Sequence, residues 1–359
     1  MKSWFAAGMA LLLISGVGTV VGAQKAASGA AGQSGPAQGV KPLVLTEAIP
    51  LEGIKGRFDH FASGGGRLFI SALGSNSVVV INTGGRTLEH TITGVPDPQG
   101  EAYSPEANEI FAASGQGKVY IFDGKTYELK TTVDFAGGAD NLRYDAATKR
   151  VYVGCGNNEK TGAIATIDAM TNQRTDEEYK LGGEPESFQL EKDGPNIYVN
   201  LPDSKQIAVI NRTTKAIKKW PLTVEGNFPM ALDEADHRLF VGTHQPPRLA
   251  VFDTATGHMI AALPSVQDTD DLYYDAAYKR IYMPGGEGFI YVFQMHDPDH
   301  YTPLAKIPTV IGAKTAGHFG IAAPTGPTRV PGKGFDRFYL AVPVHGNEPA
   351  EIRIYTAQE

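Results

Sequence analysis

The 359-residue sequence is poor in the groups that support several common protein chemistries. It contains one cysteine, Cys155, which excludes an internal disulfide and any Cys-x-x-Cys metal or redox site. It has no basic run, and its formal charge is −7. This balance argues against binding nucleic acid and against electrostatic attraction to an anionic membrane. The motifs Gly-x-Ser-x-Gly and His-Glu-x-x-His are also missing, so the usual serine and zinc hydrolase signatures are excluded.

Long apolar runs are missing everywhere except at the N-terminus. Lys2 is followed by apolar or small residues from Phe5 to Val21, and Val21-Gly22-Ala23 fits a small-residue cleavage site. We predict a signal peptide over 1–23 and a flexible linker, rich in Gln, Ala, Ser, Gly and Pro, over 24–41. A membrane anchor is the alternative, but no basic stop-transfer cluster follows. We therefore expect an exported protein, periplasmic or secreted, with no membrane span after cleavage.

What the sequence has instead is a repeated unit rich in β-formers. Asn141 to Val153 has a near-copy at Asp271 to Met283. Each copy reads as a short strand, a turn opened by Asp, and a second strand of β-branched and aromatic residues. The second strands of all copies carry an aromatic residue: Phe69, Phe111, Tyr152, Tyr198, Phe240, Tyr282 and Tyr339.

The spacing of these aromatic residues predicts the fold class. Five of the six intervals lie between 41 and 46 residues, and the last, stretched by an insertion at 323–335, is 57. Four-stranded propeller blades repeat at about 40–45 residues, and apolar alternation at period two excludes a helical repeat. A third strand follows each copy and ends in Asp or Asn in five cases, which predicts a turn into a fourth strand. We predict an all-β, seven-bladed β-propeller over 42–359.

The chain ends indicate how the ring closes. Blade seven has no room for a fourth strand after Tyr355, whereas Val44 to Leu51 precedes blade one without a blade of its own. Donation of this N-terminal strand to blade seven would remove an exposed sheet edge. We expect a closed, monomeric ring.

The repeats resemble the bacterial YVTN-family (YncE-like) propellers. The likeness rests on strands such as Arg150-Val151-Tyr152-Val153-Gly154 and Arg238-Leu239-Phe240-Val241-Gly242, and it spans about Leu43 to Tyr355. The resemblance implies export and the propeller architecture rather than a particular activity. The insertion at 323–335 departs from the family pattern.

Polar residues recur where each blade's first strand begins, which is one mouth of the central channel. Register brings together candidate ligand-binding residues from all seven blades: Asp59, His60, Glu101, Asn141, Glu186, Asn227, Asp270, Asp271 and His318. His60, Glu101, Asn141 and His318 fall at the same aligned place. Glu186, Asn227 and Asp270 fall one or two residues earlier, so the ring is imperfect and blades four and five are the ones that could face elsewhere. The alternative is ordinary solvation, because propellers of many functions have polar channels.

Some of these candidate residues are of the types that bind metal ions in proteins. His60 and His318 belong to blades one and seven, which become neighbours on closure, and Glu101 and Asp271 flank them. Two imidazoles with carboxylates suit a transition metal, whereas oxygens alone would suit calcium. The oxygen set is similar in kind to the calcium sites of the six-bladed gluconolactonase and paraoxonase families. A divalent metal ion is therefore a candidate cofactor.

Three functions stay open at this point. The first is an exported binding protein that uses the channel mouth for a small molecule. The second is a metal-dependent lactonase or esterase, and the third is a scaffold for another exported protein. The segment from His244 to Arg248 is interpreted as a surface loop distant from the channel mouth.

Overall fold

Twenty-eight β-strands and one short 3-10 helix, Leu73–Ser75, build the part of the chain that the structure describes. This computed structural model describes residues 41–319 and 337–358. The predicted signal peptide, nearly all of the predicted linker and the 323–335 insertion lie outside these residues. Within them, none of the helical structure has the length and apolar character that crossing a bilayer requires. The strands form seven antiparallel sheets of four strands each, the blades of a propeller ring, so the predicted fold class is confirmed.

Blades one to six each consist of four consecutive strands paired in chain order. Blade one has β2 (Phe61–Gly64), β3 (Arg67–Ala72), β4 (Ser77–Asn82) and β5 (Thr87–Thr93). Blade two has β6 (Pro98–Ser104), β7 (Glu109–Ser114), β8 (Lys118–Asp123) and β9 (Leu129–Asp134). Blade three has β10 (Ala139–Asp145), β11 (Arg150–Cys155), β12 (Ala163–Asp168) and β13 (Gln173–Lys180). Blade four has β14 (Phe188–Leu190), β15 (Asn196–Leu201), β16 (Gln206–Asn211) and β17 (Ile217–Pro221). Blade five has β18 (Glu225–Asp233), β19 (Arg238–Gln245), β20 (Pro247–Asp253) and β21 (Met259–Pro264). Blade six has β22 (Tyr273–Asp275), β23 (Arg280–Gly285), β24 (Phe289–Asp297) and β25 (His300–Pro308).

Blade seven joins both ends of the propeller. It has β26 (Ala316–Phe319), β27 (Arg337–Val342), β28 (Ala350–Ala357) and, as its outer strand, β1 (Leu43–Leu51). Strand β1 pairs antiparallel with β28 from Leu43↔Ala357 to Leu51↔Ala350. The predicted closure by the N-terminal strand is confirmed.

The two turn types predicted from Asp and Asn are present. In the repeated unit, Asp145 Oδ1 accepts a hydrogen bond from the Ala147 amide at 3.0 Å, and Asp275 does the same for Ala277 at 3.0 Å. After the third strand of blade three, Asp168 Oδ1 accepts from the amides two and three residues further on, each at 2.9 Å. These side chains replace backbone partners and set the hairpins that hold each blade.

The core is divided among the contacts between blades. Seven clusters of buried apolar side chains each combine residues of two neighbouring blades, one cluster for each junction of the ring. All seven marker aromatics of the second strands are buried. Each blade therefore buries its two faces against its neighbours, which is how a chain of this length folds without a single large core.

Cys155 lies at the end of β11 and belongs to the cluster between blades two and three. Burial raises the pKa of its thiol to about 11. The thiol is therefore protonated at neutral pH, as expected for a small apolar side chain rather than a nucleophile.

Candidate functional site

Two cavities lie along the central channel. The first, called here the mouth cavity, has a volume of about 310 Å³ and is lined mainly by residues that precede the first strands. Its lining residues are Arg57, Asp59, His60, Gln99, Asp140, Glu186, Ser187, Phe228, His244, Asp270 and Lys314. The second, called here the channel cavity, has a volume of about 460 Å³ and lies beside the first strands themselves. His60 and Ser187 line both cavities, so they mark the boundary between them.

His60 is held at this boundary by residues of other blades. Its Nδ1 lies 3.3 Å from Asp271 Oδ1, and its Nε2 lies 3.1 Å from Asn141 Nδ2 and 3.4 Å from Asp59 Oδ1. Asp271 Oδ2 also accepts a hydrogen bond of 2.7 Å from the Ala316 amide of blade seven. The contacts around this one imidazole thus connect blades one, three, six and seven, as expected for a group on the propeller axis.

The carboxylates around His60 determine its charge. Burial acts to lower the pKa of His60, but the charge of Asp59 and the hydrogen bond with Asp271 outweigh burial, and the pKa lies well above its usual value. A protonated ring donates from both nitrogens, to Asp271 from Nδ1 and toward Asp59 from Nε2. The Asn141 amide beside Nε2 then presents its oxygen, which otherwise has no hydrogen-bond partner among the described residues, to the ring. The imidazolium ion is therefore the form that fits this environment at neutral pH.

Four carboxyl groups from four blades surround the mouth cavity: Asp59, Asp140, Glu186 and Asp270. Burial raises the pKa of Asp59 to about 7; His60 opposes this increase, whereas Asp140 and Asp270 add to it. Burial also raises the pKa of Asp140, and it raises the pKa of Glu186 well above its usual value, with repulsion from Asp140 as a further cause. Three acids of the mouth cavity, Asp59, Asp140 and Glu186, therefore hold their protons more tightly than in water.

Two cations sit among these acids. Lys314 Nζ lies 2.8 Å from Asp268 Oδ1 and 3.0 Å from Asp270 Oδ2. Arg57 lies 3.7 Å from Asp59 Oδ2. Neither cation makes an ion pair with Asp140 or Glu186 among the contacts of the described residues. Asp140 Oδ1 lies 3.8 Å from His60 Nε2, whereas Glu186 faces the cavity without a cationic partner among these residues.

Glu101 lies on the other side of His60 and lines the channel cavity. The Ser71 hydroxyl donates to its Oε1, while its Oε2 is buried and has no hydrogen-bond partner among the described residues. Burial raises the pKa of Glu101 well above its usual value, although the bond from Ser71 opposes the shift. A neutral carboxylic acid fits this position.

Most of the predicted site residues lie at the channel, but they are divided between the two cavities. Asp59, Glu186 and Asp270 line the mouth cavity, Glu101 and Asp271 line the channel cavity, and His60 lines both. Asn141 is buried and contacts His60 from blade three. His318 lies on β26, opposite Phe338, and its side chain is outside the described residues.

Asn227 is not brought to either cavity. Its amide nitrogen donates to Asn200 Oδ1 at 2.9 Å and to the Gln206 carbonyl at 3.0 Å. The pairing of β18 with β19 shifts register between Asn227 and Met230, so this side chain is turned into the space between blades. Its observed contacts are structural.

The interpretation of His244 as a surface residue distant from the mouth is wrong. His244 lines the mouth cavity, its ring stacks on Phe228 with centroids 4.4 Å apart, and its Nε2 lies 2.9 Å from the Thr269 carbonyl. The physical reason is antiparallel pairing: the end of β19 lies beside the start of β18, where the channel mouth is. Antiparallel pairing, applied to the two strands of blade five predicted from the sequence, could have placed His244 near the channel mouth.

Sequence reasoning also missed the cations and the aromatic wall of the site. Arg57 and Lys314 occupy the segments that lead into blades one and seven, and Phe228 follows Asn227. Arg143, one position beyond Leu142 on β10, lines the channel cavity. A usable signal was present for Arg57, because it lies two residues before Asp59 and alternation at period two can place both on one side.

The predicted metal ligands remain untested as a set. His60, Glu101 and Asp271 line one cavity, whereas the side chain of His318 cannot be placed. In 41–317 together with 337–358, no cluster of three or more His, Cys, Asp and Glu side chains has an arrangement that could hold a metal ion.

Comparison with known proteins adds support for the fold. No family model and no curated protein matches the sequence. A chain in the crystal structure of a mitotic checkpoint complex superposes with a TM-score of 0.69 at 12% identity, covering 97% of this chain and 99% of that chain. The WD40 repeats of RRP9 give a TM-score of 0.69 at 9% identity, with 90% of this chain and 99% of that chain covered. Kuenenia stuttgartiensis hydrazine synthase gives 0.63 at 15% identity, with 86% and 96% covered. The chain thus shares the propeller architecture of these WD40-like chains.

Proposed function

We propose that this chain is an exported binding protein that holds a small cationic molecule in the mouth cavity. The observation that carries the proposal is the set of four carboxyl groups, from blades one, three, four and six, around a space of about 310 Å³. Pockets for small molecules begin at about this size. Convergence from four blades means that the ligand would contact several units of the ring at once.

The electrostatics favour a positive charge in this space. Burial and repulsion from Asp140 raise the pKa of Glu186, and burial and repulsion from Asp270 raise the pKa of Asp140. Glu186 has no cationic partner in the described part of the chain, and Asp140 has His60 at 3.8 Å. A bound cation would replace the missing partner and would lower the pKa values of the surrounding acids. Binding should therefore release protons, and it should become tighter as pH rises through about 7, where Asp59 ionises.

An organic cation fits the rest of the lining. Phe228 and His244, whose rings stack on each other, form the aromatic part of the cavity wall. Aromatic faces attract ammonium and guanidinium groups, and a desolvated contact of this type contributes up to about 2 kcal/mol. A metal ion would use the carboxylates but not this wall. The sequence-based metal site of His60, His318, Glu101 and Asp271 stays a separate prediction.

The resemblance to YVTN-family propellers and the N-terminal segment support the cellular setting. We place the mature protein in the periplasm or outside the cell, as a monomer that begins near Gln24. A small cation in the same compartment as the mature protein would reach the mouth cavity without crossing a membrane. An exported protein partner is the competing ligand class, and it would use the rim loops rather than the cavity.

Calorimetric titration with matched ligands tests the proposal. Methylguanidinium and choline should bind at least tenfold more tightly than methylurea and dimethylbutanol, their uncharged isosteres, because burial strengthens charge-assisted contacts. The double variant Asp140→Asn/Glu186→Gln should lose about tenfold or more in cation affinity and keep its fold, since it removes repulsion. Glu128→Gln, which changes an exposed carboxylate on a distant turn, is the control and should bind as the wild type does.

Two further results would separate the alternatives. Equal binding of cations and isosteres, or no loss in the double variant, contradicts the proposal. Calcium and manganese are added separately to test for a metal site. If either ion raises the melting temperature of the wild type, and the double variant His60→Ala/His318→Ala abolishes this rise, a metal binds at the sequence-predicted ligands instead. Elemental analysis of the purified protein tests the same point, and with it the metal-dependent hydrolase hypothesis.

A further inference from the structure

One cationic side chain lines the channel cavity and is not part of the proposed cation site. Arg143 lies on β10 of blade three and lines this cavity. One of its guanidinium N–H groups donates to the Leu142 carbonyl at 2.8 Å, and the ring of Phe188 lies beneath the group, 5.4 Å from Cζ to the centroid. No other hydrogen bond or ion pair to Arg143 is present among the described residues. Since a guanidinium carries five N–H donors, most of its hydrogen-bonding capacity faces the cavity unused.

The two carboxyl groups that line the channel cavity have partners other than Arg143. Asp271 Oδ1 lies 3.3 Å from His60 Nδ1, and Asp271 Oδ2 accepts a hydrogen bond from the Ala316 amide. Glu101 Oε1 accepts a hydrogen bond from the Ser71 hydroxyl. Neither carboxyl group makes an ion pair with Arg143 among the described residues, so the guanidinium is open to an anion that enters the cavity.

The walls around this charge combine apolar and aromatic side chains with polar groups. Tyr103, Tyr144, Tyr273 and Tyr274 come from blades two, three and six, and Met230 comes from blade five. The volume of about 460 Å³ is larger than that of the mouth cavity. A ligand in this space would therefore present hydrocarbon or aromatic surface to the walls and one anionic group to Arg143.

We propose that the channel cavity is a second binding site, for a small monocarboxylate with an apolar body, whose carboxylate is held by the Arg143 guanidinium. The forked N–H groups of arginine match the two oxygens of a carboxylate. A single guanidinium favours a monoanion over a phosphate dianion, which would bring a second negative charge into a cavity that Asp271 also lines. This site does not depend on the proposed cation site, because the two cavities select opposite charges.

The test uses benzoate and hexanoate as probes, with benzamide and hexanamide as their uncharged isosteres. Binding to the full mature chain is measured by calorimetry and by saturation-transfer NMR. Each carboxylate should bind at least about tenfold more tightly than its amide, because the charge-assisted bond to Arg143 is lost in the amide. Arg143→Met, similar in volume but uncharged, should remove this preference, and Arg143→Lys should retain part of it.

Lys314→Met is the matched control, because it removes a cation from the mouth cavity and leaves Arg143 in place. It should leave benzoate affinity unchanged; a loss of affinity in Lys314→Met but not in Arg143→Met would place the anion at the mouth and overturn the proposal. Equal affinity for carboxylate and amide in the wild type, or no binding of either, would also overturn it. If Arg143→Met does not fold, as judged by circular dichroism, the wild-type preference together with Arg143→Lys decides.

Discussion

Strand β1 offers a sharp test of how the ring is held closed, because two leucines of the same strand differ in burial. Leu51 is 0% exposed and packs in the cluster between blades seven and one, whereas Leu45 is 48% exposed. Both lie in the β1–β28 ladder, opposite Ala350 and Tyr355. Replacing either leucine with alanine keeps the backbone pairing, so the comparison isolates the contribution of side-chain burial to closure.

The expected effects differ severalfold. Leu51→Ala removes a fully buried side chain and leaves a cavity, which costs about 2–5 kcal/mol. Leu45→Ala changes a half-exposed side chain, and such surface substitutions usually stay within about 0.5 kcal/mol. For a domain of this size, 1 kcal/mol corresponds to a fall in melting temperature of about 2 °C. We therefore expect a fall of about 4–10 °C for Leu51→Ala and about 1 °C for Leu45→Ala.

Denaturant titration and thermal unfolding, followed by circular dichroism, measure both variants. Complete removal of the strand is the stronger version of the experiment. Deleting residues 1–41 should leave stability unchanged, whereas deleting through Leu51 also removes buried Leu43 and Ile49 and should lower stability by about 5–9 kcal/mol. That loss approaches the whole stability of a typical domain. Equal melting temperatures for the two leucine variants, or for the two deletions, would refute the view that β1 closes the ring.

Two further predictions concern pH and export. The melting temperature should fall as pH rises from about 5 to about 8, because Asp59 binds its proton near pH 7 when folded but near its ordinary value of 3.8 when unfolded, and because the stabilisation from protonated His60 is lost as pH passes its raised folded pKa. Asp59→Asn should flatten this decline in thermal scans; an unchanged slope would show that Asp59 does not cause it. The chain recovered from periplasm or medium should begin near Gln24, and mass spectrometry of native protein that still carries Met1 would contradict export by signal cleavage.

The fold could be predicted because its information is local and repeated. The marker aromatics of the second strands recur at nearly constant spacing and are buried in all seven blades, and the Asp or Asn residues that end five of the third strands each accept a hydrogen bond from a backbone amide of the following turn. Closure of the ring by the N-terminal strand could be predicted because β1 precedes blade one and has no blade of its own. A strongly periodic signal of this kind specifies both the strands and their partners.

The candidate site could be predicted only in part, because it depends on where regular pairing fails. The pairing of first and second strands shifts register just before Glu101, Leu142 and Met230, in blades two, three and five. At a bulge the alternation of side chains between faces is interrupted, so a period-two argument cannot assign the direction of Asn141 or Asn227. Lys314 reaches the mouth from a loop, whose path no periodicity specifies.

The pairing of β1 with β28 has a consequence for how the chain acquires its structure. The Thr46 hydroxyl donates to the Ile354 carbonyl, two residues separated by 308 positions in the sequence. The first strand of the propeller to be synthesised therefore has to wait for one of the last before it finds its partner. Contacts this remote carry a large loop-closure entropy and form late and slowly. During that delay β1 is a strand without a partner, and blade seven, once synthesised, presents an unpaired edge until β1 joins it. Unpaired strands and edges of this kind favour aggregation.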